Sequence, residues 1–207
     1  MNKIAEMKLK KIANILVYFA SKTENFGLTK ANKLLYYLDC YHLLRYGRTV
    51  TRDKYRKRQF GAVPENIYNI LSMILESNCL SEAEIKESNL DNNIIFEYIN
   101  VIPEKFEPEF SNLTIGKIIP KKDFEPIWLS DSEIEIMKEL AEKYYSTTAR
   151  EIVRINHREL PFNATKDYEY IDLKLFLKDN NMPQNDIDHI AHIEKEIESI
   201  ALNYQGY

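Results

Sequence analysis

Two side chains able to carry out acid–base chemistry lie three residues apart in the apolar stretch KANKLLYYLDCYHLLRY. Asp39 and His42 become neighbours if this stretch is helical, so the carboxylate and the imidazole could act together as a general base. Burial among the surrounding Leu and Tyr residues would shift both pKa values. The alternative is structural, with Asp39 a buried acid that pairs with a nearby Arg or Lys and orders the core. We favour this alternative because buried charges are usually paired.

A second candidate pair lies in the segment INHRELPFNA, where His157 and Glu159 precede Pro161. His157 equally suits the C-terminal end of a helix, where the helix dipole favours positive charge. No Ser or Cys nucleophile elbow accompanies the pair, and the sequence contains no glycine-rich phosphate loop. We therefore predict that the protein is not an enzyme and that it uses no cofactor.

Possible metal ligands are sparse in the sequence. His189, His192 and Glu196 lie on one flank of the C-terminal stretch, away from its isoleucines at about 100° per residue, and this predicts a solvated face. Two histidines without a second cluster do not predict a metal site. Cys40 and Cys79 match no metal spacing either, and their apolar neighbours predict buried free thiols.

A basic, aromatic stretch lies between residues 45 and 58. It contains seven Arg or Lys residues against the single acid Asp53, in a chain whose net charge is -4. Such a stretch could stack on bases and contact phosphates, or it could bind an acidic protein surface, including another part of this chain. We favour protein contact because Arg and Tyr often dominate protein interfaces and the net charge disfavours nucleic acid.

The elements that must position these residues are mostly helices, according to apolar spacing and helix-end signals. Gly47 is predicted to end the central helix, Gly61 to mark a turn in an extended or hairpin segment over 48–63, and Pro64 to open the next helix. Two capping boxes, Ser130 with Glu133 and Thr148 with Glu151, predict further helix starts. The complete set comprises helices over 8–22, 29–47, from 64, from 81, from 130, from 148 and over 184–203, and strands over 94–101 and 114–119.

These elements predict an α+β fold that is predominantly α-helical, with a central buried helix and a small β element. Five glycines in 207 residues disfavour a sandwich or barrel, and the length suits a single domain over 1–207. The longest apolar run near the N-terminus, residues 15–20, is too short for a signal peptide or a spanning helix. We therefore expect a cytoplasmic protein.

The stretch KLLYYLDCYHLLRYGRTVTRDKYRKRQFGAVPENIYNIL resembles the Panacea domain of the SocA-like antitoxins, a family with many phage-associated members. The family pattern of Lys-Leu, an aromatic, Asp, His and an aromatic-Gly pair is matched by Lys33, Leu34, Tyr36, Asp39, His42, Tyr46 and Gly47. A turn of the aromatic-Gly-Pro-Val type is matched in part by Phe60, Gly61, Val63 and Pro64, with Ala62 where proline is common.

A later His-x-Glu-x-Pro-Trp element of the family is similar to His157, Glu159 and Pro161, with Phe162 in place of Trp. The resemblance covers residues 28–162 and leaves the C-terminal helix, 184–203, outside. It implies an antitoxin of a toxin–antitoxin system, which binds and neutralises a toxin encoded nearby. Some relatives are similar to adaptors that deliver the toxin to a cytoplasmic protease.

On this resemblance we expect Asp39 and His42 to order the central helix, and Tyr46, Tyr55 and Arg56 to lie near the surface that meets a partner. Two other classes stay open. One is a nucleic-acid-binding regulator that uses residues 45–58, although the sequence has no helix-turn-helix signal. The other is a hydrolase built on Asp39, His42 and His157.

Overall fold

The computed structural model describes residues 3–80, 93–104 and 115–204, and most of these residues are helical. The helices are α1 (Lys3–Lys22), α2 (Leu28–Tyr46), α3 (Glu65–Glu76), α4 (Ile94–Tyr98), α5 (Asp131–Lys143), α6 (Ala149–Asn156), α7 (Leu160–Ala164), α8 (Lys174–Asp179) and α9 (Gln184–Tyr204). Two antiparallel hairpins pair β1 (Tyr55–Arg58) with β2 (Gly61–Pro64), and β3 (Ile99–Glu104) with β4 (Ile115–Pro120). The predicted helix-rich α+β class is confirmed.

Helix α2 lies at the centre of the core, as its apolar sequence predicts. Leu34, Leu35 and Tyr36, which point in different directions around the helix, are all fully buried. Helices α1, α5 and α6 and strand β2 contact it. A helix that is apolar on nearly all sides is stable only when neighbours cover it in this way.

Both ends of α2 are set by glycines. Gly47 has φ 68° and donates its amide to the Leu43 carbonyl at 3.0 Å, so its predicted role as the C-terminal glycine is confirmed. The predicted start at Thr29 is wrong, because the helix begins at Leu28 after an extended Gly27. A Cβ on Gly27 would lie 3.0 Å from the Gly116 carbonyl oxygen, so close pairing with β4 fixes this end.

The predicted hairpin over 48–63 is confirmed, with Gly61 at φ 94° directly after the turn. Pro64 does not open α3 as predicted; it is the last residue of β2, opposite Tyr55. Helix α3 begins one residue later because the Asp53 carboxylate accepts the Ile67 amide at 2.9 Å and caps the helix from a distant loop.

The strand predicted over 94–101 is wrong for residues 94–98, which form α4, and right for residues 99–101, which belong to β3. The Asn93 side chain accepts the Ile95 amide at 3.0 Å and starts this short helix. Both predicted capping boxes are confirmed, with the Ser130 amide 3.0 Å from Glu133 Oε2 and the Thr148 amide 2.8 Å from Glu151 Oε2. The helix predicted from residue 81 lies outside the described residues.

Helix α9 packs on the rest of the molecule through a small apolar cluster separate from the main core. The buried members of this cluster are Leu43, Leu177, Ile187 and Ile190.

The prediction of two buried thiols is half wrong, because Cys40 is buried but Cys79 is exposed at the end of the turn after α3. Within the described residues, no helix is both long and apolar enough to cross a membrane.

Candidate functional site

Asp39 is fully buried and accepts hydrogen bonds from the loop that follows α2. The amides of Val50 and Thr51 donate to Oδ1 at 2.6 and 2.8 Å, while the hydroxyls of Thr51 and Tyr55 donate to Oδ2. Burial raises the pKa of the Asp39 carboxyl, and these four donors act against that shift. The carboxyl therefore ties residues 50–55 to the central helix.

Two expectations about this part of the chain are wrong. Asp39 was expected to pair with an Arg or Lys, but all its hydrogen bonds within the described residues come from amides and hydroxyls. Tyr55 was expected near a contact surface, yet it is 1% exposed because its hydroxyl is needed at Asp39. Thr51 is the member of this group that sequence reasoning missed.

His42 is also buried and joins two elements to α2. Its Nδ1 lies 2.7 Å from the Arg48 carbonyl oxygen, so Nδ1 carries the proton, and its Nε2 lies 3.1 Å from the Ser132 hydroxyl on α5. Burial lowers the pKa of His42, while its hydrogen bond to the Arg48 carbonyl acts in the opposite direction. The ring therefore holds the end of α2 against α5.

The two blocks of the motif meet in a second buried cluster. Lys33 donates to the Ala62 carbonyl at 2.6 Å, and the Ala62 amide donates to Asn156 Oδ1 at 2.9 Å. Asn156 in turn donates to Glu159 Oε2 at 3.0 Å. This chain of bonds, which we call the Lys33–Glu159 cluster, joins α2, the β1–β2 hairpin and the start of α7. Asn156, just before the motif histidine, was missed by sequence reasoning.

Gly61 is required in the Lys33–Glu159 cluster because there is no room for a side chain. A Cβ at this position would lie 2.2 Å from Asn156 Oδ1 and 2.5 Å from Lys33 Cε. The positive φ of 94° adds strain for any other residue. The glycine of the motif therefore lets the hairpin approach α2 and α6.

Ionisation in the Lys33–Glu159 cluster is shifted towards neutrality. Burial lowers the pKa of Lys33 to about 7, while the Glu159 carboxylate acts in the opposite direction. Burial raises the pKa of Glu159 to about 7. The hydroxyls of Tyr36 and Tyr37 are buried beside Glu159, and their interaction with its carboxylate acts against this rise in pKa. Perturbed groups of this kind occur at functional sites and also in structural networks.

His157 lies at the C-terminal end of α6, as predicted, and stacks on Phe162 with 4.2 Å between ring centroids. Burial lowers its pKa, and the positive charges of Lys33 and Lys57 act in the same direction. Pro161 is buried beneath the first turn of α7. The aromatic at position 162 therefore serves as a stacking partner for the motif histidine.

The basic stretch mostly contacts acids and carbonyls of this chain, one of the alternatives that the sequence left open. Arg45 forms a two-point ion pair with Glu139, with Nη1 and Oε1 2.6 Å apart, and Arg48 lies 3.3 Å from Glu133. Arg56 lies 2.7 Å from Glu65. These ion pairs neutralise much of the positive charge that binding to a nucleic acid would require.

Of the residues expected near a partner surface, Tyr46 and Arg56 remain accessible. The Tyr46 ring is 41% exposed and packs on His42, and its hydroxyl donates to Glu135 at 2.8 Å. The Arg56 guanidinium is partly exposed beside Tyr170. Seven other motif residues are buried and shape the scaffold: Lys33, Tyr36, Asp39, His42, Gly61, Pro64 and Pro161. Gly47, His157 and Glu159 are half-buried.

The three residues proposed for a hydrolase each contact different parts of the structure. Among the described residues, Asp39 and His42 share no hydrogen bond, since Asp39 binds the 50–55 loop and His42 binds Arg48 and Ser132. His157 stacks on Phe162 in the other cluster. On α9, His192 and Glu196 are exposed and 3.5 Å apart, and the described residues contain no three-residue group suited to a metal ion.

The fold and the site define a helical scaffold in which motif residues lock a hairpin and a loop onto one central helix. Residues 32–161 match the family described as antitoxin SocA-like, Panacea domain. Because this match covers more than half of the 207 residues, the chain belongs to that family, and the resemblance seen in the motifs is confirmed. The family supports an antitoxin-type role with a toxin as partner. Comparisons with curated proteins and with solved structures give no match.

Proposed function

We propose that this protein is an antitoxin that neutralises a cognate toxin by direct protein–protein contact and catalyses no reaction. The observation that carries the proposal is the family match over residues 32–161. The toxin is expected to be encoded by a neighbouring gene, and binding is expected in the cytoplasm.

The contacts of the candidate catalytic residues support a binding role. Asp39, His42 and His157 hold a loop, a helix and an aromatic ring respectively, and do not converge on one reacting centre in the described residues. A general base must reach the proton that it removes, and a base occupied by structural bonds is poorly placed for that. Buried polar networks of this kind instead rigidify a scaffold and fix its surface.

Neutralisation by blockade and neutralisation by delivery to a protease are two forms of this function. In blockade the toxin accumulates as a stable complex. In delivery the toxin disappears, and its loss requires both this protein and a cytoplasmic protease. Both forms need a specific interface, so both depend on the same scaffold.

Co-expression with the neighbouring gene tests the proposal. We expect the neighbour alone to arrest growth, and this protein to restore growth and to co-purify with it. A pulse-chase of the toxin in wild-type and protease-deficient hosts separates blockade from delivery. A neighbour that is toxic but neither rescued nor bound would contradict the proposed function.

A further inference from the structure

A cleft of about 390 Å³ opens beside the β1–β2 hairpin, outside the buried clusters. Its lining residues are Lys57, Arg58, Gln59, Phe162, Asp167 and Tyr168. A volume of this size is enough for one or two side chains of a partner. Phe162, which lines the cleft, stacks on His157, so the cleft borders one block of the family motif.

The walls of the cleft are fixed by backbone hydrogen bonds. Residues 168–171 lie alongside β1 and form an isolated bridge with it between Tyr170 and Arg56. The Lys57 amide donates to the Glu169 carbonyl at 2.9 Å, and the Tyr168 amide donates to the Lys57 carbonyl at 3.0 Å. Arg56 also donates to the Tyr168 carbonyl at 2.7 Å. A preformed cleft loses little conformational entropy when a partner binds.

Tyr168 is held out into solvent in an unusual backbone conformation. Its φ is 65°, which is rare for an aromatic residue, and its side chain is 65% exposed. The hydrogen bonds on its amide and carbonyl hold this conformation, while the ring itself adds little to the core. Strained, exposed aromatics of this kind tend to occur where a protein meets a ligand.

The cleft combines aromatic surface with one available positive charge. The Lys57 ammonium lies 4.3 Å from the Phe162 ring centre and 3.2 Å from Asp167, so an acid already neutralises it. Arg58 is exposed, and among the described residues no carboxylate lies within ion-pair distance of it. Arg58 can therefore receive a carboxylate from outside, with two aromatic rings beside it.

We infer that this cleft is the anchor point for the toxin and takes a segment in which an acidic side chain neighbours an aromatic or aliphatic one. The carboxylate would bind Arg58, and the apolar side chain would pack against Tyr168 and Phe162. This inference rests on the proposed function and assigns it a surface. Tyr and Arg are the residue types most often found as interface hot spots.

A nucleic acid fits the cleft less well than a protein does. A phosphate chain needs several unpaired cations in a row, whereas Lys57 and Arg56 are already paired with Asp167 and Glu65. The net charge of -4 also opposes binding to an extended polyanion such as a nucleic acid.

Two substitutions in the full chain test whether the cleft binds the protein encoded by the neighbouring gene, with affinity and growth rescue as the measurements. Tyr168→Gly removes the ring and also relieves the backbone strain, so the variant should be as stable as the wild type or more stable. Arg58→Glu reverses the available charge. We expect each change to weaken affinity by about 10- to 100-fold and the double variant to lose growth rescue. Tyr145→Ala and Arg154→Glu, exposed residues outside the cleft, are the controls and should bind normally.

The outcomes separate the anchor from the proposed function. If the wild type rescues growth and both cleft variants bind with unchanged affinity, the anchor is overturned while the antitoxin function stands. If the wild type neither rescues nor binds, both fail together. Retention of a single-stranded oligonucleotide that Arg58→Glu abolishes would overturn a protein partner for the cleft. Thermal unfolding of each variant shows whether lost binding reflects lost structure.

Discussion

At the scale of single residues, the motif residues act through the buried hydrogen bonds that they form. Lys33, Gly61 and Glu159 are far apart in the chain, yet one run of hydrogen bonds through Ala62 and Asn156 joins them. Two ionisable groups held with pKa values near 7 impose an energetic cost that only a specific arrangement can offset. The stability of the scaffold should therefore depend on pH. It should also depend on Gly61, because only glycine lets the hairpin approach Lys33 and Asn156.

Lys33 should make stability increase with pH above neutrality. Its folded pKa of about 7 lies below the ordinary 10.5, so between these values the unfolded chain binds more protons and the free energy of unfolding rises with pH. The slope from one group is at most about 1.4 kcal/mol per pH unit. Urea unfolding between about pH 8 and 9 measures the slope, because this window lies above the folded pKa of about 7 for Glu159.

Lys33→Met should remove most of this rise, whereas Lys138→Met, at an exposed position on α5, should keep it. Lys30, whose pKa burial lowers to about 8, adds a rise of the same sign in this window and is present in both variants. An unchanged slope in Lys33→Met would mean that the buried amine is not the group that titrates.

Gly61→Ala should be far more costly than Gly47→Ala. Both glycines have positive φ, but a Cβ at Gly61 would overlap Asn156 and Lys33, whereas the nearest atom to a Cβ at Gly47 is 3.6 Å away on Ile190. We expect losses of about 3 kcal/mol or more against about 1 kcal/mol in the free energy of unfolding. Equal losses in urea unfolding would show that strain at φ, and not the close approach of the hairpin, sets the requirement for glycine.

At the scale of elements, the helices differ in how firmly they are held. Helix α2 is covered from several sides, while α9 is attached through four buried apolar residues, Leu43, Leu177, Ile187 and Ile190. A satellite cluster of this size can open without the main core. The residues that bind Asp39 and His42 belong to the firmly held part.

Leu177→Ala should therefore loosen α9 locally. Removing a buried leucine costs about 2–5 kcal/mol at the site that contains it. We expect hydrogen exchange to accelerate in α8 and in the first half of α9, with protection in α1 and α2 unchanged. Leu35→Ala, in the main core, should instead lower protection everywhere. Global loss of protection in Leu177→Ala would contradict an independent C-terminal unit.

The elements with local signals were the ones that the sequence predicted well. The capping boxes at Ser130 and Thr148 and the C-terminal glycine Gly47 depend on residues within a few positions, and all three are confirmed. The run IIFEYINVI suits a helix or a strand equally, so α4 was predicted as strand. The start of α3 was also missed by one residue, because its capping carboxylate, Asp53, comes from another segment.

The site was predictable as a set of positions but not as an arrangement. Motif matching identified Lys33, Gly61 and Glu159, while their meeting depends on how the hairpin folds back on α2. The family resemblance led us to expect Tyr55 near a partner surface, but Tyr55 is buried. No local pattern reports a hydroxyl bound to a carboxylate sixteen positions earlier, Asp39.

At the scale of the whole molecule, charge is balanced internally. The basic stretch meets acidic side chains of α5 and α3, as in the ion pairs of Arg45 with Glu139 and Arg56 with Glu65. Exposed pairs like these add little stability, but they cancel the local positive field. The chain keeps a net charge of -4, with Arg58 as an available cation in the hairpin cleft.

This balance predicts weak binding to nucleic acid. We expect the protein to pass through a column of immobilised duplex DNA at about 0.15 M salt, where surface charges beyond a Debye length are screened. Glu139→Gln with Glu65→Gln removes one carboxylate each from Arg45 and Arg56 and should increase retention at lower salt. Strong retention of the wild type that falls steeply with salt would instead favour a nucleic-acid-binding regulator.

The most direct test of a binding antitoxin is to mix the purified protein with the purified product of the neighbouring gene, with no other component. The masses of the complex, from light scattering, and of the recovered toxin, from mass spectrometry, are then measured. We expect a stoichiometric complex that inhibits the toxin and releases it chemically unchanged on denaturation. Inhibition without a complex, or a toxin recovered with an altered mass, would contradict neutralisation by contact and point to catalysis.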